Sequence, residues 1–425
     1  MNFMELPPVK EQIMKCVRCG QCRSVCPVFA EIKNETVAPR GHVFMVQMLR
    51  DGLVRPTARV GQHLGNCLLC ETCTVNCPSG IDIHELNAIA RSYIYAQNKN
   101  IGKELVFDKV WTKPGLLSTG TKLMSIAQKI GLQTLARKLR LTKLLPADLK
   151  DAEQILTSAP SRSARSQLNP INPARSERKM RIGYFLGCGT DLLNPQVALA
   201  TVQVLTKNGC EVIIPDYIKC CGLPHIANGK METAKNLMIH NISELQKYKL
   251  DYIITDCASC SSAFSHKNLN LLFAGTIHEE PAKLLADKTM DLSIFLTEVL
   301  DLQKIARKSV HYKVTYHDPC HLVNAQGIKK PPRELLTSIP GLDFQEMELS
   351  QRCCGGSGTF SLTHYDLSMK ILDKKIESAA VAQAQIIATN CPSCLMQLNY
   401  GVKRHKLPVK VMHPIELLNQ SYGAV

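Results

Sequence analysis

The sequence predicts an α+β multidomain protein: a helical, cysteine-dense N-terminal unit followed by two copies of an α/β module with a parallel sheet. Three observations predict it. Eight of the 19 cysteines crowd into two groups before residue 98. Short β-rich runs alternate with helical patterns after residue 181. The cysteine pattern of residues 181 to 425 also occurs twice.

In the first unit, residues 1 to 98, GHVFMVQMLRDGLV carries Val43, Met45, Val46, Met48, Leu49 and Leu53 at helical spacing. IDIHELNAIARSYIYAQ reads as another helix, and the cysteine groups fall at helix ends and turns. Cys16, Cys19, Cys22, Cys26 and Pro27 make C-x2-C-x2-C-x3-C-P, and Cys67, Cys70, Cys73, Cys77 and Pro78 repeat it. This spacing is the bacterial ferredoxin run, in which the fourth cysteine of each run serves the other cluster. A loop with three thiolates can wrap three corners of a cubane, and the fourth corner must be reached from elsewhere. One 4Fe-4S cluster is therefore expected on Cys16, Cys19, Cys22 and Cys77, the other on Cys67, Cys70, Cys73 and Cys26. Structural zinc is the competing reading, but a third cysteine two residues on has no role in paired C-x2-C arms.

Residues 99 to 180 are expected to be a basic helical connector and linker. From Lys99 to Arg181 there are 17 Lys or Arg against 6 Asp or Glu, most of the formal net charge of +15. Aromatics are few, and nucleic-acid binding is not expected. In IAQKIGLQTLARKLRLTKLL, Ile126, Ile130, Leu135, Leu139 and Leu141 share one face, ringed by Lys129, Arg137, Lys138, Arg140 and Lys143. The favoured reading is a helix packed on its own protein with a solvated basic face. The other is contact with a membrane surface or an acidic partner. SAPSRSARSQLNPINPARSERK has linker composition.

Module 1 is expected over 181–308 and module 2 over 309–425. RIGYFLG, EVIIP and YIITD are strands of the first, matched by VTYHDP, LDFQEM and IIATN in the second. Cys188, Cys220, Cys221, Cys257 and Cys260 match Cys320, Cys353, Cys354, Cys391 and Cys394 at offsets of 132, 133 and 134. Ligand sites in open parallel sheets form beyond the carboxyl ends of strands. Five thiols gathered there select a soft metal centre; buried structural cysteines or zinc are the competing reading. Gly222 and Gly355 are expected to let the backbone turn against a bulky ligand. Cys210 is left over and reads as a small buried residue.

CCGGSGTF at 353–360, HDPCHL at 317–322 and NCPSCLMQL at 390–398 resemble the CCG domain, the cysteine-rich domain of heterodisulfide reductase-type proteins. With PRG at 39–41 and CPSGIDI at 77–83, the chain resembles the glycolate oxidase iron-sulfur subunit family. That resemblance implies a ferredoxin-type domain, a linker and two CCG modules. It also implies one or two further non-cubane 4Fe-4S clusters, each on the five cysteines of one module.

No G-x-G-x-x-G, P-loop or nucleophile arrangement is present, and Gly355-Gly356-Ser357-Gly358 suits a cluster loop better. His42, His317 and His321 read first as ordinary packed or surface histidines and second as hydrogen-bond partners of a cluster. Chemistry on a 2-hydroxy acid needs a flavin. The resemblance therefore implies a partner subunit with FAD that oxidises glycolate or D-lactate, and electrons leaving for quinone or another carrier. The alternatives are a catalytic heterodisulfide or disulfide reductase, the iron-sulfur subunit of anaerobic glycerol-3-phosphate dehydrogenase, and a non-redox zinc scaffold. The N-terminus lacks a secretory pattern and no apolar run reaches 18 residues. A reducing cytoplasmic location is expected, with peripheral contact at the inner face of a membrane.

Overall fold

Nine short strands form two sheets in the computed structural model, which describes residues 7–139, 153–155, 158–300, 302 and 307–423. The first sheet holds β1 (Ile171–Asn172), β2 (Met180–Tyr184), β3 (Cys210–Ile213), β4 (Tyr252–Thr255) and β5 (Thr289–Asp291) in the order β1-β3-β2-β4-β5. The second holds β6 (Lys313–Tyr316), β7 (Asp343–Phe344), β8 (Ile386–Ala388) and β9 (Lys410–Met412) in the order β7-β6-β8-β9. All pairs are parallel except β1 with β3. Each module thus runs second, first, third, fourth strand, and the three expected strand matches sit in equivalent places.

The fourth strands, β5 and β9, are additions to the expected three. Thr289-Met290-Asp291 and Lys410-Val411-Met412 are too short to show alternation. β1 lies inside the stretch expected to be linker and pairs Ile171 with Ile213. Ala164 and Cys210 are fully buried there, and Arg165 donates to Pro215 O at 2.7 Å.

The modules face each other reciprocally, as an isologous contact requires. The helix Cys188–Leu193 of module 1 packs on Pro392–Arg404 of module 2, and Ala258–Ala263 of module 1 packs on Cys320–Val323 of module 2. The backbone N–H of Ala258 donates to Asn390 O at 2.9 Å. A side chain at Gly189 would sit 2.9 Å from Pro392, so this close approach needs glycine.

The N-terminal unit wedges against both modules. Helices Pro39–Arg50 and Ile83–Gln97 form where the apolar spacing predicts, although the first stops short of Leu53, which is exposed, and the second is capped by Asp82 accepting from Glu85 N–H at 3.0 Å. Val43, Val46, Leu86 and Ile89 share a core with Leu223, Ile226 and Met238 of module 1. Val28, Val37 and Leu68 share another with Phe360 and Ile371 of module 2. Each such side chain contributes about 1.5–3 kcal/mol when fully buried.

The connector departs from the favoured reading. Helix Pro114–Lys129 packs on Cys188–Leu193 through its Ser125 side. Ile126, Ile130, Leu135 and Leu139 are 50% to 70% exposed, joined by Leu116, Leu123 and Leu132. Leu116, Leu123 and Ile130 recur at heptad spacing along the first helix, whereas Leu132 and Leu135 belong to a second helix, Leu132–Lys138, after a left-handed turn at Gly131, so the expected single face is broken in two. Arg140, Leu141 and Lys143 lie outside the described residues. Among those residues, no helix is long and apolar enough to cross a membrane.

Candidate metal centres

All 19 cysteines are free thiols. In the N-terminal unit the two loops repeat one backbone shape. Arg18 and Gly20 in the first, and Leu69 and Glu71 in the second, occupy the left-handed region at φ of 55°, 86°, 53° and 59°. Leu69 and Glu71 carry a steric cost for this, and alternation of this kind turns successive N–H groups inward toward an anion. Leu69 N–H donates to Cys67 Sγ at 3.3 Å, and Phe29 N–H to Cys26 Sγ at 3.4 Å.

The expected crossover sets come together. The Cys22 thiol is raised first by burial, against an opposing hydrogen bond at Arg40, and then by the charges of Cys16, Cys19 and Cys77. Burial pushes Cys26 up to about 11, and Cys67 of the other run adds to it. Cys73 is raised by burial and by Cys67, Cys70 and Cys26. Cys26, Cys67, Cys70 and Cys73 line one cavity together with His42 and His84. Burial holds His42 down at about 3, and its Nδ1 meets Asn87 Nδ2 at 3.3 Å.

In each module the five thiols collect at the carboxyl ends of the strands. Tyr184 on β2 donates to Asp256 Oδ2 at 3.0 Å, and Tyr316 on β6 donates to Asn390 Oδ1 at 3.2 Å. These buried pairs fix the residue before Cys257 and before Cys391. Sequence reasoning passed over both tyrosines, although they sit at the repeat offset. Gly222 and Gly355 adopt φ of 86° and 81°. Their close neighbours are the backbones at Ala234 and Ser368, so they admit the following helix and not a ligand.

The ten module thiols form one chain of neighbours. A run of adjacent thiols passes from Cys188 to Cys220, to Cys221, to Cys260 and to Cys257. It continues from Cys257 to Cys391 across the module seam, then to Cys394, Cys354, Cys353 and Cys320. Cys354 Sγ and Cys394 Sγ are 3.6 Å apart. Cys70 of the N-terminal unit is raised by burial and then by the charge of Cys320, which brings the two regions within electrostatic reach. Asn324 of module 2 donates to Cys70 O at 2.8 Å, and Ser357 to Leu68 O at 2.6 Å. Arg91 ties the same loop to module 1, donating to Cys67 O at 2.6 Å and Ala227 O at 2.7 Å.

Three histidines that read as ordinary, His42, His317 and His321, lie beside these sets. His321 meets Ser259 Oγ at 3.0 Å and is positioned to bond Leu69 O. Burial opposes its charge, but Cys320 and Glu71 outweigh that and raise its pKa. His317 is 1% exposed, with no hydrogen bond at either ring nitrogen. Module 1 offers aromatic surfaces instead: Phe185 against Phe264 at 4.6 Å, and the Trp111 indole near Cys188.

These donor sets fit iron-sulfur clusters. Thiolates are the ligands of such clusters, and gathering them in low dielectric is unfavourable until a cation neutralises them. Cys210, fully buried and pushed up to about 12, stands apart as a core residue.

Known proteins match along the whole chain. A 4Fe-4S dicluster domain matches residues 12–81, and a cysteine-rich domain matches 182–265 and 314–399. The linker region of the glycolate oxidase iron-sulfur subunit matches 98–156. The probable glycolate oxidase iron-sulfur subunit of Bacillus subtilis is 31% identical over 420 residues, 97% of this chain and 94% of that protein. A subunit of the fumarate reductase (CoM/CoB) of Methanothermobacter marburgensis is 29% identical over 97% of this chain and 73% of its own. Lactate utilization protein A of a Geobacillus strain is 35% identical over 56% of this chain and 99% of its own.

Proposed function

The chain belongs to the family of glycolate oxidase iron-sulfur subunits, and on that premise we propose that it is the electron-transfer subunit of a flavin-dependent 2-hydroxyacid dehydrogenase. The substrate class is glycolate or D-lactate, oxidised at FAD on a partner subunit, and the final acceptor is quinone or another carrier. Bound clusters would supply one-electron transfer. The chain's part is to hold them at short separations and shield them from water. The observation that carries this reading is the unbroken run of thiols from Cys188 to Cys320, with Cys70 beside its end.

Ligand sets follow the expected division. Cys16, Cys19, Cys22 and Cys77 would hold one cubane, and Cys67, Cys70, Cys73 and Cys26 the other. Each module would hold a further centre on its five cysteines. Anaerobic purification of the native complex tests this. About sixteen iron atoms per chain, FAD in the partner, and cluster reduction by the hydroxy acid are expected. A complex without flavin would sink the proposal.

The exposed connector face supports peripheral contact with an anionic membrane. Leu116, Leu123, Ile126 and Ile130 stand outward among lysines, and no Asp or Glu occurs between Lys109 and Ala147. Vesicle flotation of the Leu123→Glu/Ile126→Glu chain should show roughly tenfold weaker binding per residue. Unchanged flotation would remove the membrane from the scheme.

A second reading, catalytic heterodisulfide or disulfide reduction at the module thiols, draws on the contact of Cys257 with Cys391 at the seam. Reduction of a disulfide substrate by the isolated chain with a chemical donor separates it from the first.

A further inference from the structure

His317 stands where β6 ends, three residues before Cys320. Subtracting the repeat offset of 132 puts Phe185 at the same place in module 1. The backbone agrees: Phe185 N–H donates to Ile254 O and His317 N–H to Ala388 O, both at 2.9 Å. One copy therefore presents an apolar ring and the other an imidazole.

The imidazole is buried, and neither ring nitrogen has a hydrogen-bond partner. Leaving such a group unpaired in a protein interior is unfavourable, because its desolvation is not compensated. A ring nitrogen, Cys354 Sγ and Cys394 Sγ all lie within 4.8 Å of one another. The two sulfurs are 3.6 Å apart. Ligands at about 2.3 Å from a tetrahedral metal are separated by about 3.8 Å. The two sulfurs thus have the spacing of two corners around one metal, and the ring nitrogen lies within 4.8 Å of both.

We propose that His317 supplies a ring nitrogen to the metal centre of module 2, which is a mixed thiolate–imidazole site, while the centre of module 1 is all-thiolate. This rests on the reading that the modules hold iron. The imidazole would be a neutral donor added to the five thiolates, so the two centres would differ in ligand set while keeping the same number of thiolates. No covalent bond is broken and no electron is transferred; the nitrogen donates a lone pair to iron already held by cysteines.

The test uses the anaerobically purified full chain, with and without 15N-labelled histidine, in both oxidised and reduced states. Pulsed EPR reads nitrogen hyperfine coupling, and iron analysis runs on the same samples. A histidine coupling that changes on 15N labelling and vanishes in His317→Phe supports the proposal. His317→Gln provides the same comparison if the phenylalanine variant does not fold. About sixteen iron atoms, roughly four per centre, with no histidine coupling would overturn it while leaving the filled modules standing. Iron that stops short, with module 2 empty, would overturn both. Retention of the coupling in His317→Phe would also overturn the assignment.

Discussion

Phe185 and His317 occupy one place in two copies of the same module, and the contrast extends around both sites. Both copies share strand order, thiol spacing and the tyrosine that anchors the third cysteine group. Around module 1 lie Phe185, Phe264 and Trp111, with the buried His225 near Cys221. Around module 2 lie His317, His321 and Lys375. At the offset of 134, Lys375 matches Asn241, so a buried cation replaces a neutral amide. Its ammonium is fully buried, bonds Leu349 O and Ser350 O, and is lowered by burial to about 8. A duplicated frame keeps the ligands and lets each copy set its own electrostatics. Positive charge beside module 2 favours the reduced state there.

The largest effect should come from cutting the route at one copy. Cys394→Ala should lose about four of roughly sixteen iron atoms and strand module 1 from electrons that enter at the cubanes. Cys260→Ala should lose similar iron but leave module 2 reducible. Freeze-quench EPR distinguishes them, and wild-type reduction of module 1 in Cys394→Ala would break the asymmetry.

A smaller effect should follow Lys375→Met. Removing a charge near Cys353, Cys354 and Cys394 should lower the potential of module 2 by tens of millivolts, on the order of 1–2 kcal/mol. Module 1 should not move. A redox titration in which both signals shift together would show that the copies are not electrostatically separate.

The smallest effect concerns acid. The fourth strand of each copy leads into a capping side chain, Asp291 in module 1 and His413 in module 2. Burial raises Asp291 to about 6, so the native state holds its proton where the unfolded chain has lost it. Stability from Asp291 is present below pH ~4 and falls as pH rises toward 6. Burial lowers His413 to about 4, so the unfolded chain binds a proton that the native state does not. Stability from His413 is present above pH ~6.5 and falls as pH drops toward 4. Hydrogen exchange at pH ~5 should find Pro414–Ser421 loosened relative to pH ~7, by on the order of 2 kcal/mol, and Leu292–Ile294 tightened. His413→Asn should abolish the first change; equal behaviour of both segments would count against the contrast.

Much of this was legible in the chain. Eight cysteines at fixed spacing leave little freedom for their pairing, and the structure brings each crossover set together. The repeat offsets located both modules and three strands of each. Single residues without periodicity were not legible: His317 looks like any histidine until its burial and missing partners are known. The fourth strands were too short to carry a pattern. The connector misled for a different reason, because an apolar helical face looks the same whether it packs inward or stands exposed. The roles of Gly222 and Gly355 depended on which backbone lies opposite, which spacing alone does not encode.

The cap on the Cys67–Cys73 loop has a consequence for biosynthesis. Asn324 and Ser357, which close that loop, lie 254 and 289 positions after the residues they bond. They leave the ribosome long after the loop itself. The cysteine loop is therefore closed by residues made long after it, and a nascent polypeptide holds Cys67, Cys70 and Cys73 open to delivery machinery until the residues that cap them have followed.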